Sequence, residues 1–284
     1  MRGLPAAAPD TGWRARLDLG FAPTPGPQAR RTRLVRAEHS GPLQVQRPFY
    51  PERDGTCHVV ILHPPGGVVG GDRLRLDAAL AGDCGALLTT PSAARFYRSA
   101  GAAAVQEQTF RVAPGAGLEW LPQETILFEG ARVTTTTRIE LAGDARCLAW
   151  EITCLGRPAA GEGFARGALD QHIELWRDGA PLYLERSRVA GGSEAQAAAW
   201  GFGGEAVCAT LLATVDAADA CDAAREALGD TAGRCAATQC DGLLLLRYRG
   251  PSAAEARARF IAVWQALRPA VLGKAAVLPR IWHS

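Results

Sequence analysis

The sequence predicts a mainly β fold of stacked or curled (helicoidal) sheets, with two α-helices near the C-terminus. Three observations lead there. Apolar and polar residues alternate through the first two-thirds of the chain. Gly, Pro and Asp punctuate that alternation about every ten residues. Helical signals are confined to two late segments.

The elements follow in order. Trp13, Ala15, Leu17, Leu19 and Phe21 fall on one side of a period-two pattern, with Arg14, Arg16 and Asp18 on the other, so this is a half-buried strand. Cys57 to His63 forms an apolar strand, and Leu74, Leu76, Ala78 and Leu80 repeat the alternation. Arg132 to Leu141 contains four consecutive threonines, which suit a pleated surface. Leu148, Trp150, Ile152 and Cys154 mark another half-buried strand. Turns are expected at Pro114-Gly115, Gly143-Asp144 and Asp178-Gly179. Val207 to Val215 and Asp241 to Arg249 read as strands. Between them, Asp216 to Leu228 is alanine-rich, opens with an Asp able to cap free N–H groups, and stops at Gly229. Ser252 to Arg268 is the stronger helix. Ser252 and Glu255 make a capping box, Ala256, Phe260, Val263, Trp264 and Leu267 make one apolar stripe, and Pro269 is expected to end it. No linker divides the chain and no fixed-period repeat is visible, so residues 13–284 form a single domain after a flexible N-terminal segment, 1–12.

Composition narrows the function. The 284 residues are 48% hydrophobic and 21% charged, with a net charge of +2, which excludes a disordered polar chain. No apolar run is long enough to span a membrane, and the start of the chain lacks a secretory core, so a cytoplasmic protein is expected. Positive charge is dispersed, which argues against a nucleic-acid or membrane partner. The eight cysteines include no C-x-x-C pair and read as small buried hydrophobes.

Several motifs fail in context. Gly201 to Ala206 matches a dinucleotide fingerprint but precedes a strand instead of a helix. Gly156 to Glu162 has P-loop spacing but places a carboxylate where the phosphate-binding lysine belongs. The five histidines offer no local catalytic arrangement. Cys57 and His63 share a strand face but lie about 20 Å apart, too far to hold one ion together.

The strongest local feature is His63-Pro64-Pro65-Gly66-Gly67-Val68-Val69-Gly70-Gly71-Asp72, two prolines and four glycines in a tightly specified loop. It reads either as a compact turn or as a rim where Asp72 meets a partner or ion. Glu124 within Leu121 to Phe128, Glu162 within Gly161-Glu162-Gly163-Phe164, and Glu185 within Leu182 to Arg186 each interrupt apolar or Gly-rich sequence. Each has two readings, structural pairing or cation handling.

Taken together, His63 to Asp72, Thr89 to Ser99, Pro122 to Phe128, and Gly156 to Phe164 resemble the signature segments of the UreD/UreH urease accessory proteins. Arg95 stands where that family usually has Lys. The resemblance implies a β-rich helicoidal fold with two helices and a non-enzymatic role in urease maturation. It implies a scaffold joining urease apoprotein to a UreF-type protein and a UreG-type GTPase, delivering nickel through an internal passage. It implies no permanently bound cofactor and only transient Ni²⁺, with Asp72, Glu124, Glu162 and Glu185 as candidates for metal passage or interface contact. Two rival readings are a β-rich hydrolase using the loop near His63 and a static nickel-binding module.

Overall fold

The computed structural model describes residues 12–25 and 31–283. The expected N-terminal segment therefore lies, except for Gly12, outside the described residues. The strands in chain order are β1 (Arg14–Pro23), β2 (Thr32–Ser40), β3 (Gln44–Val45), β4 (Cys57–Leu62), β5 (Arg73–Leu80), β6 (Gly85–Thr89) and β7 (Ala94–Phe96). They continue as β8 (Ala104–Val112), β9 (Gly117–Trp120), β10 (Thr125–Leu127), β11 (Arg132–Leu141), β12 (Arg146–Leu155), β13 (Ala168–Arg177) and β14 (Ala180–Ala190). The last elements are α1 (Glu194–Ala197), β15 (Val207–Thr214), α2 (Ala220–Leu228), β16 (Cys235–Cys240), β17 (Leu243–Gly250) and α3 (Ala253–Leu272).

One sheet has seven strands in the order β14-β13-β11-β8-β5-β1-β2; the other has ten, along the path β16-β17-β15-β12-β9-β6-β4-β3, with β10 and β7 branching from β12. The chain winds between the two sheets, so β5, β8, β11 and β13 stack in parallel as successive coils. One end of each coil is a near-identical turn: Leu80-Ala81-Gly82-Asp83-Cys84, Val112-Ala113-Pro114-Gly115-Ala116, and Leu141-Ala142-Gly143-Asp144-Ala145. Each closes with the same bond, Cys84 N–H to Ala81 C=O, Ala116 to Ala113, and Ala145 to Ala142, at 3.1–3.3 Å. Each also bonds to the strand end of the coil below. Their left-handed residues are Asp83, Gly115 and Gly143. A repeat thus exists, but the loops at the other end differ in length and leave it without a fixed period.

Helices α2 and α3 pack on the outer face of the ten-stranded sheet, and this corrects one expectation. β12 is buried along both faces, not one. Cys147 and Ala149 face the seven-stranded sheet, while Leu148, Trp150, Ile152 and Cys154 pack in the cluster of Phe260, Val263, Trp264 and Leu267 from α3. Burying each of those large side chains contributes about 1.5–3 kcal/mol.

The helix ends also differ from the sequence reading. α2 starts after Asp219, without a side-chain cap, three residues later than Asp216 would place it. Ser252 Oγ accepts from Glu255 N–H at 3.2 Å, but the Glu255 carboxylate is drawn to Tyr248 Oη and Arg234 and leaves the box half closed. Pro269 does not end α3, which runs to Leu272 and stops at Gly273 with φ 71°. The extra turn is held by buried Val271 and by Arg268, whose guanidinium is inaccessible and binds Glu119 in a bidentate pair at 2.8–2.9 Å. Glu52 bridges Arg268 (2.7 Å) and His58 (2.6 Å), so this cluster fastens α3 to the sheet beneath it. The four-residue α1 is an addition to the two expected helices.

Candidate functional site

The space between the sheets is largely apolar, and its buried polar side chains gather in one crosswise row and the row beside it. Strand register in the seven-stranded sheet aligns Leu17, Leu76, Gln108, Thr137, Ile173 and Glu185 across β1, β5, β8, β11, β13 and β14. In the facing sheet, register aligns Glu151, Thr210 and Arg247 across β12, β15 and β17. Side chains at these positions point into the inter-sheet space, because alternate residues of β12 and β15 belong to the helix-facing core instead. Along that row Leu17 and Leu76 give way, from β8 outward, to polar residues interrupted only by Ile173, which together form a polar seam.

The seam is joined across the gap. Thr137 Oγ1 donates to Glu151 Oε1 at 2.6 Å, and Trp120 Nε1 donates to the same oxygen at 3.1 Å. Gln108 Nε2 reaches Thr137 Oγ1 at 3.4 Å. Gln171 Nε2 donates to Thr153 Oγ1 at 3.0 Å, next to the seam. Farther out, Glu185 accepts from Arg247 at 3.1 Å, Thr210 at 3.2 Å and Tyr183 Oη at 2.5 Å. Thr135, paired with Gln171 in register, is buried with its Oγ1 unpartnered. A polar atom left so costs about 1–3 kcal/mol unless something visits it.

Glu151 is the most unusual member. It is buried with two neutral donors and no cation. Burial pushes its carboxyl above the ordinary range, outweighing the hydrogen bonds from Thr137 and Trp120. Two cavities are lined by this residue. One, of about 460 Å³, runs from His63, Gly66 and Arg95 at the surface to Gln108, Trp120 and Glu151. The other, of about 730 Å³, runs from Glu151 and Gln171 past Glu185 and Thr210 to Arg247 and exposed Trp200. His63, half-buried on the first wall, is held below the usual histidine range by burial, with Asp72 opposing that shift.

Of the residues anticipated from sequence, the structure places Glu185 in this seam and the other three elsewhere. Asp72 is buried and accepts from Trp13 N–H at 2.8 Å and Val69 N–H at 2.9 Å, pinning the Gly-rich loop to β1. A Cβ at Gly67 in that loop would sit 2.0 Å from the Tyr97 ring, so any larger residue there would push the ring off its Phe128 contact. Glu124 pairs with Arg257 of α3 at 2.9 Å, and Glu162 pairs with Arg157, whose guanidinium lies 4.6 Å above the Phe128 ring. Among the described residues, no three His, Cys, Asp or Glu side chains converge as a metal site.

Glu151, Thr137, Gln171 and Arg247 escaped the sequence reading. A signal existed for Glu151, a carboxylate inside the apolar run Cys147 to Leu155. The others are ordinary polar residues whose meaning comes only from cross-strand register.

The sequence profile described as "UreD urease accessory protein" matches residues 14–283. Among curated relatives, a protein of Azoarcus sp. (strain BH72) is 46% identical over 286 residues, covering 100% of this chain and 98% of its own length. One from Marinobacter nauticus is 49% identical over 281 residues, covering 95% and 92%, and one from Citrobacter koseri is 46% identical over 273, covering 96% and 92%. All three carry the name "Urease accessory protein UreD".

Proposed function

The chain belongs to the UreD family of urease accessory proteins, and from that premise we propose that it acts without catalysis, as a scaffold through which Ni²⁺ reaches urease. In this reading it joins urease apoprotein to a UreF-type protein and a UreG-type GTPase in the cytoplasm, with no nucleic-acid or membrane partner. Among the described residues no helix is long and apolar enough to cross a membrane. Ni²⁺ is cargo and is not retained.

The supporting observation is that two cavities share Glu151 in their walls. A divalent ion crossing a protein interior needs oxygen donors at each step, since a bare charge in low dielectric is very unfavourable. The seam supplies them as hydroxyls, amides and two carboxylates. Isolated carboxylates suit transfer, because a closed cage of soft ligands would hold a borderline cation too tightly to release it. A carboxyl with a raised pKa gives up its proton as the cation arrives and takes one back as it leaves, so no uncompensated charge stays buried. Asp72, Glu124 and Glu162 support this path indirectly, by fixing the Gly-rich loop, α3 and the 156–163 turn.

The test is Glu151→Gln, which keeps shape and acceptor oxygen but removes the titratable charge. Co-expressed with urease and the other maturation proteins, it should lower urease-bound nickel about tenfold, with the chain still folded and captured alongside its partners. Unchanged nickel content in urease would remove Glu151 from the path.

A further inference from the structure

The outer end of the seam holds a second feature, which rests on the passage reading and deepens it. The Glu185 carboxylate is occupied by Arg247 Nη1 at 3.1 Å, Tyr183 Oη at 2.5 Å, Thr210 Oγ1 at 3.2 Å and Ser187 Oγ at 3.4 Å. Arg247 Nη2 also donates to Tyr183 Oη at 2.6 Å. A dication approaching Glu185 therefore meets a carboxylate already neutralised by one cation and hydrogen-bonded on both oxygens.

These donors are not equally movable. Thr210 is buried, and Tyr183 is packed against the inter-sheet core. The Arg247 side chain is 50% exposed while Glu185 is 15% exposed, so only the guanidinium can swing into water without opening the fold. With its guanidinium half in water, this ion pair is weaker than a fully buried one and can be displaced by an incoming divalent cation. Arg247 and Glu185 both line the larger cavity, so the exchange would take place at its wall.

We propose that Arg247 is a resident counter-cation, which holds Glu185 until Ni²⁺ displaces it and reclaims the carboxylate as the ion moves on. Its role is to keep Glu185 a relay point and not a trap. Arg247 touches the carboxylate, not the cargo, and is a positioning residue.

Ni²⁺ titrated calorimetrically into the isolated full chain tests this. Arg247→Gln should bind Ni²⁺ at least about fivefold more tightly than the parent chain, and Arg247→Lys should restore parental affinity. Adding Glu185→Gln to Arg247→Gln should abolish the gain. An affinity in Arg247→Gln within twofold of the parent or weaker, or a gain that survives Glu185→Gln, would overturn the proposal. Tyr183→Phe removes the anchoring hydroxyl and should shift affinity the same way. If Arg247→Gln does not fold, an unchanged Tyr183→Phe would equally overturn it. The passage itself is judged separately, by nickel loading of urease with Glu151→Gln. Normal loading there together with tighter binding by Arg247→Gln would leave Glu185 a surface site, whereas lost loading with unchanged binding would leave an ungated path.

Discussion

Two buried carboxylates illustrate how environment sets charge. Glu151 has only neutral donors, so burial wins and its carboxyl rises above the ordinary range. Burial works against Glu52 too, but hydrogen bonds from His58 and Arg268 outweigh it and hold Glu52 below that range. The signs for stability are opposite. Stability from Glu52 is present above the unfolded carboxylate pKa and is lost as pH falls through the lower folded value. Glu151, with a raised folded pKa, gives stability that is full below the unfolded value and disappears as pH rises through the folded one. Glu151→Gln should therefore unfold at a higher temperature than the parent above neutral pH, with the difference closing in acid below about pH 4. Thermal melts across that range check the crossover. Glu185 was legible as an acidic interruption of an alternating strand. By the same criterion Glu151 was equally legible, but the apolar face of its strand reads as the core side and Glu151 as the solvent side, until α3 is seen to cover that apolar face and the seven-stranded sheet to cover Glu151.

At the scale of elements, the ladder of alternating strands could be read directly because period-two burial needs only local sequence. The helix ends could not. Pro269 is tolerated because Arg268 and Val271, both buried, tie the last turn to the sheet, which no local rule records. The half-closed capping box has a similar origin, since Tyr248 and Arg234 come from distant elements to claim Glu255. The remaining cap bond, from Glu255 N–H to Ser252 Oγ, has an ordinary value. Ser252→Ala should cost about 1 kcal/mol in urea unfolding, without altering nickel delivery.

Across the whole molecule, the sheets and their coiling follow from short strands and repeated turns, and the L-A-G-D pair at Leu80 and Leu141 carries that repeat in the sequence itself. The seam is another matter. Its row brings together Gln108, Thr137 and Glu185, which are far apart in the chain, and a one-residue slip of any strand would turn its member away. Only the assembled register reveals it.

The stacking has a dynamic corollary. An inner coil is gripped on two sides, whereas β14 closes the seven-stranded sheet and has a strand neighbour on one side only. Fraying in such an array starts at its last rung. Amides of β14 should exchange with deuterium sooner than those of β8 or β11, and the carboxylate at residue 185 thus rides on a strand that opens before the coils it caps.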